Sequence, residues 1–217
     1  AKAAAASLIA GSGIHFDGAA AVTVSGTGAA LDDFSASDIA ALKALGVTGL
    51  DASDNAVTLT LAQANAYGAA ALAFAASDTV TVVLSSTEFA DLTSSDITRL
   101  ASIGADVLDI SGNAVSLMLA RISALQTAGL AFVSSDVVTL SDTAARIAAL
   151  TVGDIGQLAE WGVDRISPSD GSVTLSIAQA NAIHDAGIVF TAASTVVVAG
   201  NAATVAEFLR DHAKVEQ

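Results

Sequence analysis

The chain repeats itself at a fixed interval. The block 34–46 recurs at 92–104 and again at 150–162, which is a 58-residue period with no insertion between the copies. Four phenylalanines keep the same period: Phe16, Phe74, Phe132 and Phe190. Such a period restricts the fold to an array of similar units, because one unit alone cannot bury its apolar face.

Each 58-residue unit divides into a long and a short coil. The points where a helical pattern gives way to an extended one follow at alternating 33- and 25-residue intervals: Gly13, Gly46, Ala71, Gly104, Gly129, Gly162 and Gly187. Glycine adopts the left-handed conformation that closes many helices at little cost. At the exception, Ala71, we expect Gly68 to take over this role.

Strand and helix patterns alternate within the coils. Residues 57–61 and 115–117 alternate apolar and hydroxyl side chains, which is typical of half-buried strands. Five short helices are predicted to begin at capping boxes or similar acidic caps: Thr60 with Gln63, Ser176 with Gln179, Ser35 with Asp38, Thr93 with Asp96, and Thr151 with Asp154. The sequence therefore predicts an α/β solenoid of alternating 33- and 25-residue coils.

The period also predicts the domain organisation. We expect one solenoid domain over residues 1–217, which begins part-way through a repeat and ends in an amphipathic helix that caps the last coil. Its predicted parts are a partial repeat at 1–33, full repeats at 34–91, 92–149 and 150–207, and a capping helix at 204–217.

Composition excludes several functions. The chain has 22 acidic and 8 basic residues, a formal charge of -14, and no Lys/Arg cluster, so nucleic-acid binding is not expected. Cysteine is absent, which excludes disulfide frameworks and thiol catalysis. The longest apolar stretch, 66–76, is shorter than the ~20 residues of a membrane span, so membrane insertion is not expected either.

The acidic residues carry the main chemical hypothesis. Aspartate outnumbers glutamate by 18 to 4, and aspartate favours turns and caps. Turn oxygens could bind calcium, and the candidate ligands are Asp51, Asp54, Asn55, Asp109 and Asn113. The alternative, which we favour, is that these residues only form turns, because the ligands change from one repeat to the next. Asp78 and Asp136 are likewise expected to close their own turns.

Other polar residues suggest structural roles. A serine recurs at one equivalent position in five coils and is expected to bridge coils through its hydroxyl: Ser53, Ser77, Ser111, Ser135 and Ser169. A second row is expected on a solvated sheet face: Thr58, Thr81, Ser116, Thr139 and Thr174. Trp161 occupies a predicted core position. The three histidines, His15, His184 and His212, do not form a predicted metal or catalytic cluster.

Two resemblances follow from these patterns. Residues 108–113, Leu-Asp-Ile-Ser-Gly-Asn, resemble the strand and turn of a leucine-rich repeat. The whole unit, with Leu-Thr-x-x-Asp-Ile at 92–97, resembles repeats of very large, acidic, cysteine-free adhesins and RTX-like surface proteins that alphaproteobacteria export by type I secretion. The resemblance implies an extracellular or cell-surface location and a link to calcium.

We therefore expect a non-catalytic structural or interaction module, used in adhesion, biofilm formation or surface assembly. Its expected partners are other repeats of the same parent chain and protein or polysaccharide surface ligands. No cofactor is expected apart from the possible calcium. The alternative is a module that binds or cleaves a polysaccharide with paired carboxylates, Asp106 with Asp109 or Asp164 with Asp170. The chain has only nine aromatic residues to hold a sugar, which disfavours that alternative.

Overall fold

A computed structural model describes residues 21–212; of residues 207–209, 211 and 212 it describes only the backbone. After the first strand, pairs of strands alternate with one or two helices along the described chain. The strands are β1 (Thr23–Gly26), β2 (Gly49–Ala52), β3 (Ala56–Thr60), β4 (Ala73–Phe74), β5 (Thr79–Ser85), β6 (Ala105–Ser111), β7 (Ala114–Leu117), β8 (Ala131–Phe132), β9 (Val137–Asp142), β10 (Val163–Pro168), β11 (Ser172–Ser176), β12 (Val189–Phe190) and β13 (Thr195–Ala199).

The helices are short, and all but one have nine residues or fewer. They are α1 (Gly28–Asp32), α2 (Ala36–Ala44), α3 (Leu61–Ala69), α4 (Ser86–Asp91), α5 (Ser94–Ser102), α6 (Leu119–Thr127), α7 (Ala144–Ala148), α8 (Val152–Glu160), α9 (Ile177–Asp185) and α10 (Ala202–His212). The predicted α/β class is therefore confirmed.

The described residues form two compact units. One comprises residues 21–113 and 124–136, and the other comprises residues 114–123 and 137–212. The first unit contains a three-stranded sheet in the order β1-β2-β4 and a four-stranded sheet in the order β3-β5-β6-β8. The second contains a four-stranded sheet in the order β12-β10-β9-β7 and the pair β11-β13.

Every strand pairing within these sheets is parallel. The partners are close in sequence, since Val57 pairs with Val80, and Val82 pairs with Leu108. A parallel connection needs a crossover of about a dozen residues or more, usually a helix, and the short helices provide it. Within each sheet the strands lie in chain order, and a helix occurs in every connection between neighbours.

Apolar residues at equivalent repeat positions form the core of each unit. Leu50 and Leu108 are at most 1% exposed in the first unit, and Ile166, at the next equivalent position, is 0% exposed in the second. The helices contribute the pairs Ile97 with Leu100 and Ile155 with Leu158, which are also buried. The three-residue spacing places each pair on one helix face.

The helix starts agree with the sequence prediction. All five predicted caps are complete capping boxes, in which the first side chain accepts from the N3 amide and the N3 side chain accepts from the cap amide. A sixth box, Ser85 with Glu88, starts α4 and is absent from the prediction.

The helix ends agree with the prediction at all but one described position. Five glycines have the expected positive φ: Gly46, Gly104, Gly129, Gly162 and Gly187. At the exception, Ala71 itself is left-handed, with φ 49°, so the expected substitution by Gly68 is wrong. Gly68 lies inside α3, where an added Cβ would come within 2.5 Å of the Arg99 Cγ. That glycine is therefore explained by close packing, not by a turn.

Several predicted boundaries extend beyond the described residues. The helix predicted at 204–217 begins earlier, since α10 spans Ala202–His212 and lies beside α9, and residues 213–217 lie outside the described range. Residues 1–20 of the predicted partial repeat also lie outside it. The single domain over 1–217 and the division into repeats stay predictions.

Candidate functional site

Aspartate side chains join neighbouring strands through backbone amides. The Asp106 Oδ2 accepts a hydrogen bond from the Val80 N–H at 2.9 Å, and the Asp164 Oδ2 accepts from the Val138 N–H at 2.8 Å. In both cases the donor precedes the acceptor by 26 residues. A carboxylate acceptor makes these bonds stronger than those between neutral groups.

A threonine makes the equivalent link in the first repeat. The Thr48 Oγ1 accepts from the Val22 N–H at 3.0 Å, again across 26 residues. Thr48 and Asp106 are one 58-residue period apart, and so are their donors Val22 and Val80. The link therefore recurs in three consecutive repeats, although its acceptor is a hydroxyl in one and a carboxylate in two.

A second series of links uses buried aspartates. The Asp78 Oδ2 accepts from the Ala52 N–H at 3.0 Å, and the Asp136 Oδ2 accepts from the Ile110 N–H at 3.0 Å. The prediction that these side chains close their own turns is therefore wrong. The backbone amide closes each turn, and the side chain is left to bond the strand 26 residues earlier.

The third member of this series lacks both partners. The donor position becomes Pro168, which has no N–H, and the acceptor position becomes Ser194. The hydroxyl of Ser194 instead shares a 2.8 Å hydrogen bond with the Thr191 hydroxyl. The acidic acceptor is thus absent in the repeat where the amide donor is absent, which indicates that the aspartates are there to satisfy the amide.

A third series connects turns to helix starts. The Asp54 Oδ1 accepts from the Gly28 N–H at 2.7 Å, and the Asp170 Oδ1 accepts from the Ala144 N–H at 2.9 Å. Both donors are the first residues of helices, α1 and α7, whose amides have no partner within their own helix. The role of these aspartates is that of a cap supplied from another part of the chain.

The calcium candidates lie in this network. Besides the Asp54 link, the Asp51 Oδ2 accepts from the Ser25 Oγ at 3.0 Å. Asn55 and Asn113 have φ values of 53° and 54°, and asparagine tolerates the left-handed conformation better than most residues. The Asn113 Nδ2 also donates to the Ser135 carbonyl oxygen at 3.3 Å. These contacts provide a turn-forming role for both asparagines.

The remaining candidate, Asp109, is half-buried on β6. Within residues 21–212, no group of three or more histidine, aspartate or glutamate side chains is placed to hold a metal ion. The structure thus does not bring the five candidates together as one ligand shell, and calcium binding stays a prediction.

Two buried carboxylate oxygens have no hydrogen-bond partner among the described residues. They are the Oδ1 atoms of Asp78 and Asp136, and each of these residues is 5% exposed. Burial raises the pKa of Asp136 above its ordinary value, and the nearby charge of Asp109 raises it further, against the lowering effect of the bond from the Ile110 N–H. The raised pKa means that the folded protein holds a proton on Asp136 more tightly than the unfolded chain does.

Asp142 caps the first amide of α6, a helix that has no capping box of its own. Its Oδ2 accepts from the Leu119 N–H of α6 at 3.1 Å, its Oδ1 accepts from the Thr143 N–H at 2.8 Å, and the Arg146 guanidinium lies 3.5 Å away. Burial by itself would raise the pKa of Asp142, but the two amides and the guanidinium lower it below its ordinary value. Sequence reasoning misses this residue because the donor is 23 positions away.

The exposed box carboxylates are also engaged. Hydrogen bonds from their own cap residues lower the pKa values of Glu88, Asp96 and Asp154. The Arg99 guanidinium additionally lies 3.1 Å from the Asp96 Oδ1 and donates to the Asn65 Oδ1 at 3.0 Å. These acids stabilise helix starts.

The predicted groove pairs are only partly available for chemistry. Asp106, Asp164 and Asp170 each have one oxygen bonded to a backbone amide. The fourth acid, Asp109, lies on β6 next to the donor amide of Ile110. An acid and a base of shifted pKa in one cleft would signal hydrolysis, and these contacts instead fit structural acceptors.

The other predicted residues have simpler positions. His184 is exposed in the last turn of α9, whereas His15 and the side chain of His212 lie outside the described residues. Trp161 is only partly buried, although its equivalents Leu45 and Ile103 are at most 4% exposed. Its larger ring therefore extends beyond the space that a leucine fills.

The two hydroxyl rows differ in outcome. At Ser53 the bond to the preceding strand comes from the backbone N–H, which donates to the Gly26 carbonyl at 2.8 Å, so this link needs no hydroxyl. In the threonine row, Thr58 is in register with Thr81 on the neighbouring strand, and the pairs Ser116 with Thr139 and Thr174 with Val197 are aligned in the same way. The row therefore ends in a valine on β13.

The chain is thus a mixed α/β protein with parallel sheets, whose carboxylates repeatedly join strands and start helices. No protein-family model matches its sequence, and a search of curated proteins finds no match. Among the helices at residues 21–212, none is long and apolar enough to cross a bilayer.

Proposed function

We propose that this chain is a repeat module of an α/β solenoid with a non-catalytic structural or interaction function. The single observation that carries the proposal is the series of aspartate-to-amide bonds over 26 residues, which occurs in both units. Bonds of this kind order one coil against the next. They also use the acidic groups that a hydrolase would need for its substrate.

A stacked array suits a spacer or a binding surface. Each coil contacts mainly its neighbours, so length and surface grow with the number of repeats while the core chemistry stays the same. We place the module in a secreted or cell-surface bacterial protein, active in adhesion, biofilm formation or surface assembly. Its partners would be further repeats of the parent chain and protein or polysaccharide ligands.

A lengthened chain tests the solenoid. Residues 1–203 followed by residues 146–217 add one 58-residue unit in phase, since position 204 and position 146 are equivalent. Two more coils at the strand spacing should increase the maximum dimension in small-angle X-ray scattering by about 10 Å. The free energy of unfolding should also rise, because an additional interface forms. A longer chain that scatters as a swollen sphere of the same stability would reject the solenoid.

The carbohydrate-acting alternative is tested separately. It uses Asp106 with Asp109 or Asp164 with Asp170, and the amide bonds to three of these four make it the weaker proposal. Release of reducing ends from a panel of acidic and neutral polysaccharides should not exceed that of a heat-denatured sample. Turnover that disappears in Asp109→Asn would support the alternative instead.

Calcium is tested by unfolding. After chelation, the midpoint of thermal unfolding is measured with calcium and with magnesium at equal ionic strength. Binding to the folded state alone stabilises it by ~2.7 kcal/mol at a hundredfold excess over Kd. A calcium-specific shift that is lost in Asp51→Asn or Asp109→Asn would make these turns metal sites. Equal shifts with both cations would leave them as turns.

A further inference from the structure

The outer edge of the last described strands is unusually apolar. Val189 on β12 is 54% exposed, and Val196 and Val197 on β13 are 36% and 48% exposed. Within the described residues, β13 pairs only with β11, and β12 only with β10. Exposed apolar strand edges invite pairing with another chain, and proteins commonly protect them with charges, proline or covering elements.

Equivalent strands show what covers such an edge. β5, β9 and β13 begin at equivalent positions of successive repeats, Thr79, Val137 and Thr195. β5 and β9 each have the neighbour that corresponds to β11 on one side and a further parallel strand on the other, β6 for β5 and β10 for β9. With both neighbours present, Val80 and Val138 are at most 1% exposed, whereas their equivalent Val196 is 36% exposed.

The covering strand has a defined chemistry. Both β6 and β10 have an aspartate at their second position, and its Oδ2 accepts from the amide of Val80 or Val138. On β13 the Thr195 N–H donates to Gly171 on the side of β11. Because successive amides of a strand point to opposite sides, the N–H of Val196 points to the outer edge, where such an aspartate would receive it.

One substitution in the repeat also favours pairing. The equivalents of Val197 are Thr81 and Thr139, which pair with a strand on each side and are half-buried. The change to valine produces three consecutive valines at 196–198 on the open edge. Solvent-exposed strand edges usually have polar or charged side chains, whereas this edge is more apolar than its equivalents in the other repeats.

We propose that the outer edge of β13 binds a parallel β-strand whose second residue is an aspartate, supplied by another repeat of this type. The registers of β9 with β10 and of β5 with β6 place an arginine or valine of the partner opposite Val197 and an isoleucine or leucine opposite Val198. The inference names a surface and a partner, and it rests on the proposed function only in that the partner is a repeat of the same kind.

The probe is a fluorescein-labelled peptide of residues 150–176, which contains α8 with both strands that follow it, β10 and β11. Binding is followed by anisotropy, and amide exchange of Val196 and Val198 by NMR. We expect saturable binding that slows exchange of both amides at least about tenfold at saturation. A peptide with Asp164→Val should bind about tenfold more weakly, as expected from loss of one charged hydrogen bond.

Matched variants of the protein localise the site. Val197→Asp places a charge on the edge and should reduce affinity more than tenfold. Val152→Asp is the control, because Val152 is 51% exposed on α8, a helix of the same unit that packs against α9 and β10. Circular dichroism verifies that both variants are folded, and Val197→Lys provides a second β13 edge variant if Val197→Asp is not.

Each outcome decides the proposal. Binding that is lost in the edge variant and kept in the control supports it. Failure of the peptide to bind, or equal binding by both variants, overturns it. Self-association of the protein that Val197→Asp abolishes, without peptide binding, overturns it in favour of pairing between the β13 edges of two copies. The lengthened-chain experiment is unaffected by these results, so the solenoid proposal stands or fails independently.

Discussion

At the scale of single residues, an acceptor facing a strand amide can be a carboxylate or a hydroxyl. Asp106 and Thr48 occupy equivalent positions and accept equivalent bonds. Removing an acceptor leaves an amide without its partner, which costs about 1–3 kcal/mol when the amide is buried and less when water can reach it. The donor Val80 is buried, but Asp106 is exposed and water can reach the site that its side chain would leave, so a loss near the lower end of this range applies.

The first prediction uses this equivalence. Asp106→Val should lower the free energy of unfolding by about 1 kcal/mol, because the Val80 N–H loses its acceptor. Asp106→Thr has nearly the same shape and strand propensity as the valine variant but keeps an oxygen, and should lie within about 0.5 kcal/mol of the wild type. Urea unfolding of the three proteins distinguishes them. Equal losses in both variants would show that the charge matters and the hydrogen bond does not.

The second prediction concerns the left-handed alanine. Ala71 follows the end of α3 with φ 49°, a conformation that costs an L-residue about 1–2 kcal/mol and glycine almost nothing. After the greater flexibility of unfolded glycine is subtracted, Ala71→Gly should raise the free energy of unfolding by about 0.5–1 kcal/mol. Ala70→Gly is the control, since φ there is -81°, and it should be destabilising. A loss in both variants would contradict the strain argument.

The third prediction concerns pH. The pKa of Asp136 is raised in the folded protein, so the folded state binds the proton more tightly than the unfolded state does. Its contribution to stability is therefore present at low pH and is lost as the pH rises from about 4 through the raised pKa. Asp136→Asn lacks this loss. Relative to the wild type, its free energy of unfolding should increase as the pH is raised to neutrality.

A second variant gives the opposite slope and serves as the control. The pKa of Asp154 is lowered by its cap bonds, so its contribution is present above the unfolded pKa and is lost as the pH falls through the folded value. Asp154→Asn should be less stable than the wild type at neutral pH, and the difference should shrink on acidification. Parallel curves for the two variants would refute the assignment of opposite pKa shifts.

At the scale of elements, one helix departs from the repeat. Thr60 and Ser176 start α3 and α9 with capping boxes, and the equivalent position before α6 is Met118, which is 59% exposed. Asp142 compensates by accepting from the Leu119 amide. In α6 the Asp142 carboxylate therefore accepts from the amide of the first helical residue. In α3 and α9 the hydroxyl of the capping box accepts from the amide of the third helical residue.

The fourth prediction restores the missing cap. Met118→Thr should raise the free energy of unfolding by about 0.5–1 kcal/mol, because the hydroxyl can accept from the amide at N3. The reciprocal change Thr60→Met removes an existing box and should cost about 1 kcal/mol. Denaturant unfolding of both variants tests the pair. A stabilising effect of both would indicate that a general property of the side chains, not capping, is responsible.

The elements also show what sequence can and cannot predict. The capping boxes and the glycines after helices are local signals, because every contact lies within a few residues. The sequence predicts them correctly except at Ala71 and at the box of Ser85 with Glu88, which it misses. It does not predict the aspartate links, because Asp78 and its donor Ala52 are 26 residues apart and no local pattern indicates the contact. Local reasoning consequently assigns Asp78 to its own turn.

At the scale of the whole molecule, the class of fold follows from the period, whereas the function does not. The repeat predicts strands and helices in alternation, which the structure has. The sequence does not predict the role of the five calcium candidates, because oxygen-bearing residues at turns are compatible with either hydrogen bonding or metal binding until their neighbours are known. In the structure, Asp51 accepts a hydrogen bond from the Ser25 hydroxyl and Asp54 accepts one from the Gly28 N–H.

The fifth prediction follows from the net charge of -14. Like charges repel more strongly in the folded protein than in the expanded unfolded chain, so salt should stabilise the fold by screening them. Raising NaCl from about 20 to about 500 mM should increase the midpoint of thermal unfolding by about 2–4 °C, equivalent to roughly 1 kcal/mol. A decrease would mean that attractive pairs such as Asp96 with Arg99 outweigh the repulsion.

The proline at 168 has a consequence for how such a chain can be recombined. The amide of Ile110 and the carboxylate of Asp136, 26 residues later, form a donor–acceptor pair. At the equivalent positions of the next repeat, Pro168 has no amide donor and Ser194 has no carboxylate. Shuffling of repeats by unequal crossover therefore preserves the fit only if both members travel together. A crossover between the two positions would combine Pro168 with an aspartate that has no amide to accept from, or a free amide with a serine in place of the aspartate. Fewer breakpoints are therefore compatible with folding than the regular period suggests.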